Sequence, residues 1–268
     1  MYKILALDMD DTLLRKDLTI SEKNKDAIKK AAEKGVKIVF CSGRSSKSMI
    51  NYINNLNGYN CNEYLISYNG AMVLNLKDKA TLFNKYVEKE YVLKLVDYGR
   101  TNNLNIQLYI DDNVVVEKFD ERTKQYEVLS GLPVKQVKDL KEVSDKGSLK
   151  VLINNDENIL NELKTELDEL LGNDLNIFFS KPYYLEFLNK KANKGIGLLE
   201  LAKLIDIPLK DIIAIGDSFN DISMIEIAGL GVAIGNAHEK VKKIANYVTK
   251  NDHNNDGVAE VIEKFILD

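Results

Sequence analysis

The chain has 268 residues, 45% of them hydrophobic and 29% charged, with a net charge of −4. That is enough chain for one large domain or two small ones, and the composition is that of a folded globular protein rather than a disordered one. The charges are interspersed without the basic stripe a nucleic acid requires, no apolar run approaches the roughly 20 residues that cross a bilayer, and Lys3 breaks up anything like a signal peptide, so neither a nucleic-acid nor a membrane partner is expected and the expected location is cytoplasmic.

The first predicted element is the strand KILALD (3–8), a continuous apolar run of the kind buried on both faces of a parallel sheet. It runs into Asp8, Asp10 and Asp11. Neighbouring carboxylates repel unless a cation or a shared proton relieves them, although a D-x-D alone is equally compatible with a solvated turn. Ser21 is placed to cap a helix through EKNKDAIKKAAEK (22–34), where Ala27, Ile28, Ala31 and Ala32 share one face, and Gly35 is placed to end it. VKIVFC (36–41) is the next strand and leads into SGR (42–44). Since β-α-β units join parallel strands, Asp8 and Ser42 are expected at the same carboxyl edge of one sheet. EYLISYNGAMVL (63–74) adds a further strand with a turn at Asn69-Gly70.

The texture then changes. From about residue 84 to 189 the pattern runs helix (EKEYVLKLVDYGR), alternating strands (NIQLYID, VVVEK), helix, strand (SLKVLIN), helix (ENILNELKTELDELLG) and paired strands (LNIFFS, YYLEFLN). This reads as a two-layer α+β domain with a mixed or antiparallel sheet. Regular alternation returns with GIGLLELAKLI, DIIAIGD, DISMIEIAG, GVAIG and GVAEVIEKFIL. The expected architecture is therefore α/β, with a discontinuous parallel-sheet core (1–83 and 190–268) interrupted by one α+β insert (84–189).

Cys41 and Cys61 lie in no C-x-x-C pair and read as buried reduced thiols, and His238 and His253 are the only histidines. Too few nitrogen or sulfur ligands remain for a structural zinc site, whereas oxygen ligands abound, so a hard cation such as Mg²⁺ is the metal this chain suits best. Four short motifs fall at strand ends or helix starts: DMDDT (8–12), SGR (42–44), NKG (193–195) and GDSFND (216–221). Strands carrying the first, second and fourth would bring their loops to one carboxyl-end crevice, where open α/β sheets bind ligands.

In order, spacing and content these motifs resemble the haloacid dehalogenase superfamily, and within it the Cof-type phosphatases with an α/β cap between the second and third motifs. The resemblance covers essentially the whole chain, including SYNGA (67–71), GDSFNDISMIEIAGLGVAIGNA (216–237) and DGVAEVI (256–262). Asp11 departs from it, standing where Gly is common. It implies a Rossmann-like core with a type IIB cap and a Mg²⁺-dependent phosphoric monoester hydrolase. Asp8 would be the nucleophile that forms an aspartyl-phosphate, and Asp10 the general acid and then base. Asp8, the main-chain carbonyl of Asp10 and Asp217 would hold Mg²⁺, with Asp221 also at the metal site, orienting a bound water.

Phosphoryl transfer needs a nucleophile, an acid for the leaving oxygen and charge neutralisation, and DMDDT can supply the first two. Ser42 and the Gly43 amide suit anionic oxygens because a hydroxyl and an unhindered N–H at a helix start donate to them. Lys194 is preferred to Lys190 and Lys191 because it directly precedes Gly195 at a helix start. Asn220 would orient substrate or Lys194, and Thr12 and Met9 would contact the phosphoryl group; Asn220 and Thr12 also suit a turn and an N-cap. Arg44 either serves the site or pairs with an acidic neighbour, and Tyr183 and Tyr184 either meet a substrate or belong to a strand core. The expected partner is a small phosphorylated metabolite, sugar phosphates first, chosen by the cap, with no obligate protein partner. A phosphotransferase or phosphomutase of the same fold, and a non-catalytic phosphate-binding or signalling module, are the alternatives.

Overall fold

The computed structural model describes residues 2–56 and 62–268, so Cys61 lies outside the described residues. In chain order, β1 (Ile4–Asp8), α1 (Glu22–Glu33), β2 (Lys37–Cys41), α2 (Ser46–Ile53), β3 (Asn62–Ser67), β4 (Met72–Asn75) and β5 (Thr81–Asn84) come first. They are followed by α3 (Lys89–Thr101), β6 (Ile106–Ile110), β7 (Asn113–Val116), α4 (Glu121–Ser130), β8 (Val134–Gln136), β9 (Val151–Asn154), α5 (Glu157–Leu171), β10 (Leu175–Lys181) and β11 (Tyr184–Asn189). The last stretch holds α6 (Lys194–Leu204), β12 (Ile212–Gly216), α7 (Ile222–Ile227), β13 (Leu230–Ala233), α8 (Glu239–Ile244), β14 (Tyr247–Val248) and α9 (Gly257–Ile262). Two compact units result: Met1–Phe83 with Asn193–Asp268, and Asn84–Ala192.

The first unit is built on a sheet of order β14-β13-β12-β1-β2-β3-β4-β5, parallel from β14 to β3, with β4 antiparallel to β3. Central β1 explains its own sequence. Leu5 and Leu7 join a core with Ile28 of α1 and Val258 and Val261 of α9, while Ile4 and Ala6 join a second core with Leu198 and Leu201 of α6 and Met224 of α7. Both faces of the strand are covered, so an alternating pattern would have buried polar groups. α1 begins where the Ser21 hydroxyl accepts from the Asn24 N–H (3.1 Å) and is followed by Gly35 at φ +83°. Asn24 in turn accepts from the Ala259 N–H (2.9 Å), which fixes α1 against the start of α9.

In the second unit the sheet order is β10-β11-β9-β6-β7-β8, antiparallel throughout except for β7 with β8. One face packs Leu108, Val151, Ile153, Leu185 and Phe187 against Val92, Val96, Leu160 and Leu167 of α3 and α5. On β11, Tyr184 is buried edge-on to Tyr126, while the neighbouring Tyr183 in the turn is 44% exposed. This unit ends at Ala192, three residues beyond the limit expected from the pattern. The physical reason is local: Lys190 N–H donates to the Asp174 carbonyl (3.2 Å), and the Asn176 amide donates to the carbonyls of Lys190 and Ala192.

Short elements such as α8 and β14 escape the sequence pattern because six and two residues are too few to establish a period. Among the described residues, no helix is long and apolar enough to cross a membrane.

Candidate active site

Adjacent parallel strands β12, β1 and β2 end side by side, with Asp8 paired in register with Cys41, so Asp8, Ser42 and Asp217 issue from one sheet edge. The chain leaves β1 through a tight turn in which the Leu14 N–H donates to the Met9 carbonyl (2.8 Å) and Asp11 takes φ +56°. Left-handed backbone is tolerated by Asp, so an aspartate can stand at 11 where glycine would be easier.

Lys194 is the first residue of α6, behind an Asn193 cap whose side chain accepts from the Ile196 N–H (2.8 Å). Its ammonium is fully buried and donates to Asp8 Oδ1 and Asp221 Oδ1, each at 2.5 Å. The other Asp221 oxygen accepts the main-chain N–H groups of Asp217 (3.0 Å) and Ser218 (2.9 Å). Asp221 thus holds both the lysine and the loop that carries Asp217. Thr12 is buried and donates its hydroxyl to Asp217 Oδ1 (3.0 Å). Gly216 makes this closure feasible, since a Cβ there would lie 2.4 Å from the Asp221 Cβ. Gly70, at φ +91°, brings the turn after β3 against Asn193; a Cβ on it would lie 2.0 Å from the Asn193 carbonyl oxygen.

One carboxylate oxygen from each of Asp8, Asp217 and Asp221 lies within 4.8 Å of the others. Against these three acids stands one buried cation, Lys194. Burial, reinforced by the Asp221 charge, raises the Asp8 carboxyl well above the ordinary carboxylate range. The same two causes push Asp217 up to about 6. Burial works against the Lys194 charge, but Asp221 and Asp8 together hold its ammonium above the ordinary range. An all-oxygen set with this excess of negative charge fits a hard divalent cation. Of the three, Asp221 is the most heavily engaged, since it accepts from Lys194 through one oxygen and from two amides through the other.

Residues 5–262 match the family model described as haloacid dehalogenase-like hydrolase. The chain belongs to this family. It is 30% identical to the Bacillus subtilis 5-amino-6-(5-phospho-D-ribitylamino)uracil phosphatase YcsE, over 99% of this chain and 96% of that protein. Among solved structures it resembles TM0651 from Thermotoga maritima (33% identity, TM-score 0.90, covering 100% of this chain and 99% of that one). It also resembles the HAD subclass IIB sugar phosphatase BT4131 (25% identity, TM-score 0.81, 98% of each chain). The chain is an enzyme of the phosphoric monoester hydrolase class.

Within this haloacid dehalogenase-like site, Asp10 stands apart from the three-carboxylate group. Its side chain, 44% exposed, is gripped by Arg44, whose Nε reaches Oδ2 at 2.8 Å and whose Nη2 reaches Oδ1 at 2.6 Å. Any bond from Asp10 to a metal held by Asp8 and Asp217 would therefore come from its main chain. Ser42 is buried, and its hydroxyl oxygen accepts the Arg44 N–H (3.1 Å), which leaves the O–H free to point elsewhere. Gly43 precedes α2 by three residues, so its N–H belongs to the loop before the helix rather than to the first turn; Ser45 is the cap. A Cβ at Gly43 would stand 3.0 Å from the Asn69 amide, and Asn220 donates to Asn69 Oδ1 (3.0 Å). Asn220 therefore faces Asn69 rather than Lys194. Met9 is fully buried in the core, so only its main chain is available to a phosphoryl group.

Two residues acquire places that the sequence left unassigned. Asn69 links the second and fourth motifs, and its signal was the SYNGA segment itself. Arg44 meets Asp10, one of the two acids of DMDDT that lie outside the carboxylate cluster.

Proposed function

We propose that this hydrolase releases the phosphoryl group of small phosphorylated metabolites, sugar and sugar-alcohol phosphates foremost, using Mg²⁺ and a covalent intermediate on Asp8. The observation that carries this reading is the fully buried Lys194 ammonium shared between Asp8 and Asp221, beside Asp217. A nucleophilic carboxylate needs a fixed orientation and nearby positive charge before a phosphate dianion can approach it, and Lys194 supplies both.

Asp8 attacks phosphorus, the bond to the ester oxygen breaks, and that oxygen takes a proton from the Asp10 carboxyl. Water then forms a bond to phosphorus and loses its proton to Asp10, while the Asp8 bond breaks and restores the carboxylate. Thr12 keeps Asp217 turned toward Asp8, and the Ser42 hydroxyl and the loop amides donate to the phosphoryl oxygens. Mg²⁺, held by Asp8, Asp217 and the Asp10 carbonyl, would offset the charge shared by those carboxylates and the phosphoryl oxygens.

The substrate class is supported by the relatives. One is named for a substrate carrying its phosphate on a ribityl chain, and one resembled structure is titled a sugar phosphatase; both leaving groups are polyhydroxylated carbon chains. Every residue assigned to the phosphoryl group lies in the first unit, so discrimination between leaving groups is assigned to Asn84–Ala192. The test is release of inorganic phosphate from a panel of sugar, sugar-alcohol, nucleoside and aryl phosphates, with Mg²⁺ and with excess EDTA, water being the only acceptor. Turnover should appear with Mg²⁺ and be highest on polyhydroxylated substrates. No phosphate from any ester would overturn the reading.

A further inference from the structure

We infer that Arg44 is the positioning residue for the proton-transfer group Asp10, so that the SGR loop serves two tasks: Ser42 and Gly43 meet the phosphoryl group while Arg44 aims the acid. The inference rests on the phosphomonoesterase reading above and deepens it.

Asp10 emerges from a turn and is nearly half exposed, so packing does not determine its side-chain rotamer. Arg44 does. Its guanidinium meets the carboxylate side-on through Nε and Nη2, one N–H to each oxygen, the planar geometry in which arginine and a carboxylate bind most specifically. The arginine is itself fixed at three points. Its main-chain N–H is held by Ser42 Oγ (3.1 Å), its carbonyl accepts the Tyr68 N–H (2.9 Å), and its guanidinium carbon lies 4.9 Å from the centroid of the Tyr52 ring, with Nη1 3.4 Å from the Tyr52 hydroxyl. A surface ion pair between two mobile side chains contributes little, whereas this one joins a clamped donor to a single carboxylate.

The clamp has a chemical consequence. In the first half-reaction Asp10 gives a proton to the leaving oxygen as the O–P bond breaks, and in the second it takes one from water. Each Asp10 oxygen accepts one arginine N–H and keeps a second lone pair on which the proton can sit while the carboxyl stays held. Arg44 therefore matters in proportion to how much the leaving oxygen needs that proton. An alkoxide needs it badly; a nitrophenolate hardly does.

The experiment compares wild type, R44Q, R44K, D10N and R44Q/D10N on 4-nitrophenyl phosphate and on glycerol phosphate at saturating Mg²⁺, with circular dichroism to verify folding. R44Q is expected to lower kcat/KM on glycerol phosphate by about 100-fold, within the range set by general acid–base catalysis, and on 4-nitrophenyl phosphate by less than about tenfold. R44K should restore little, because an ammonium cannot make the paired contact. In the D10N background the Arg44 change should add almost nothing, since the residue acts through Asp10. Equal losses on both esters, or full additivity with D10N, would overturn the proposal while leaving wild-type phosphatase activity in place. Failure of wild type on every ester would instead sink the underlying reading.

Discussion

Lys194 and Asp221 form an ion pair at 2.5 Å in which neither side chain is exposed to solvent. Taking both charges from water is expensive, and the pair is tolerable only because each partner is fully engaged: the lysine by a second carboxylate, Asp8, and the aspartate by two main-chain amides. Lys194→Met should remove the compensating charge and leave two buried carboxylates facing each other. The expected destabilisation is about 3–5 kcal/mol, the scale found when one partner of a buried pair is deleted, read by urea denaturation in EDTA. A loss below about 1 kcal/mol would mean that the ammonium is not buried between them.

Asp8→Asn and Asp10→Asn change side-chain volume little, so both proteins should fold. The first should lose turnover on every ester, because the amide is no nucleophile. Asp10→Asn should lower turnover by about 10²–10⁴ on alkyl phosphates, the usual range for loss of an acid–base group. Substantial phosphate release by purified Asp8→Asn would remove Asp8 from the nucleophile's role.

The raised carboxyl of Asp217 makes metal binding pH-dependent. Without a cation this group holds a proton up to about pH 6, and a ligand oxygen must release it before coordinating. Mg²⁺ affinity, followed by calorimetry, should therefore weaken as pH falls below about 6. The stability sign follows from the same shift. Between the ordinary carboxylate range and about 6 the folded protein binds a proton that the unfolded chain has released, so this group's contribution to metal-free stability declines as pH rises through that window. Melting temperatures of wild type and Asp217→Asn in EDTA should separate in that window, with wild type falling behind toward neutral pH and Mg²⁺ restoring it. An Mg²⁺ affinity independent of pH from 5 to 7 would contradict the arrangement.

Gly216→Ala tests the geometry rather than the chemistry. Its methyl group would meet the Asp221 Cβ at 2.4 Å and Cγ at 2.5 Å, in a strand with no room to retreat. About 1–3 kcal/mol of overpacking is expected, together with weaker apparent Mg²⁺ binding, because displacing Asp221 releases the Asp217 amide. A variant with unchanged Mg²⁺ dependence would show that the metal loop does not rely on this contact.

By itself the sequence determined the α/β class, the strand that delivers Asp8, the capped helix α1 and, to within one residue, the helix start beside Lys194, because each is written in a local signal: an apolar run, a helical period, a cap. It also marked the acids suited to an oxygen-liganded cation. Other relationships join residues far apart in the chain and depend on which strands become neighbours. Arg44 reaches Asp10 because β2 lies beside β1, and Asn220 finds Asn69 because the turns after β12 and β3 meet at the same sheet edge. The boundary at Ala192 likewise rests on hydrogen bonds with residues 174 and 176, which no periodicity in 190–192 announces. Tertiary structure decided these points because a side chain's partner is set by the packing of the sheet, and that packing is a property of the whole fold rather than of any one segment.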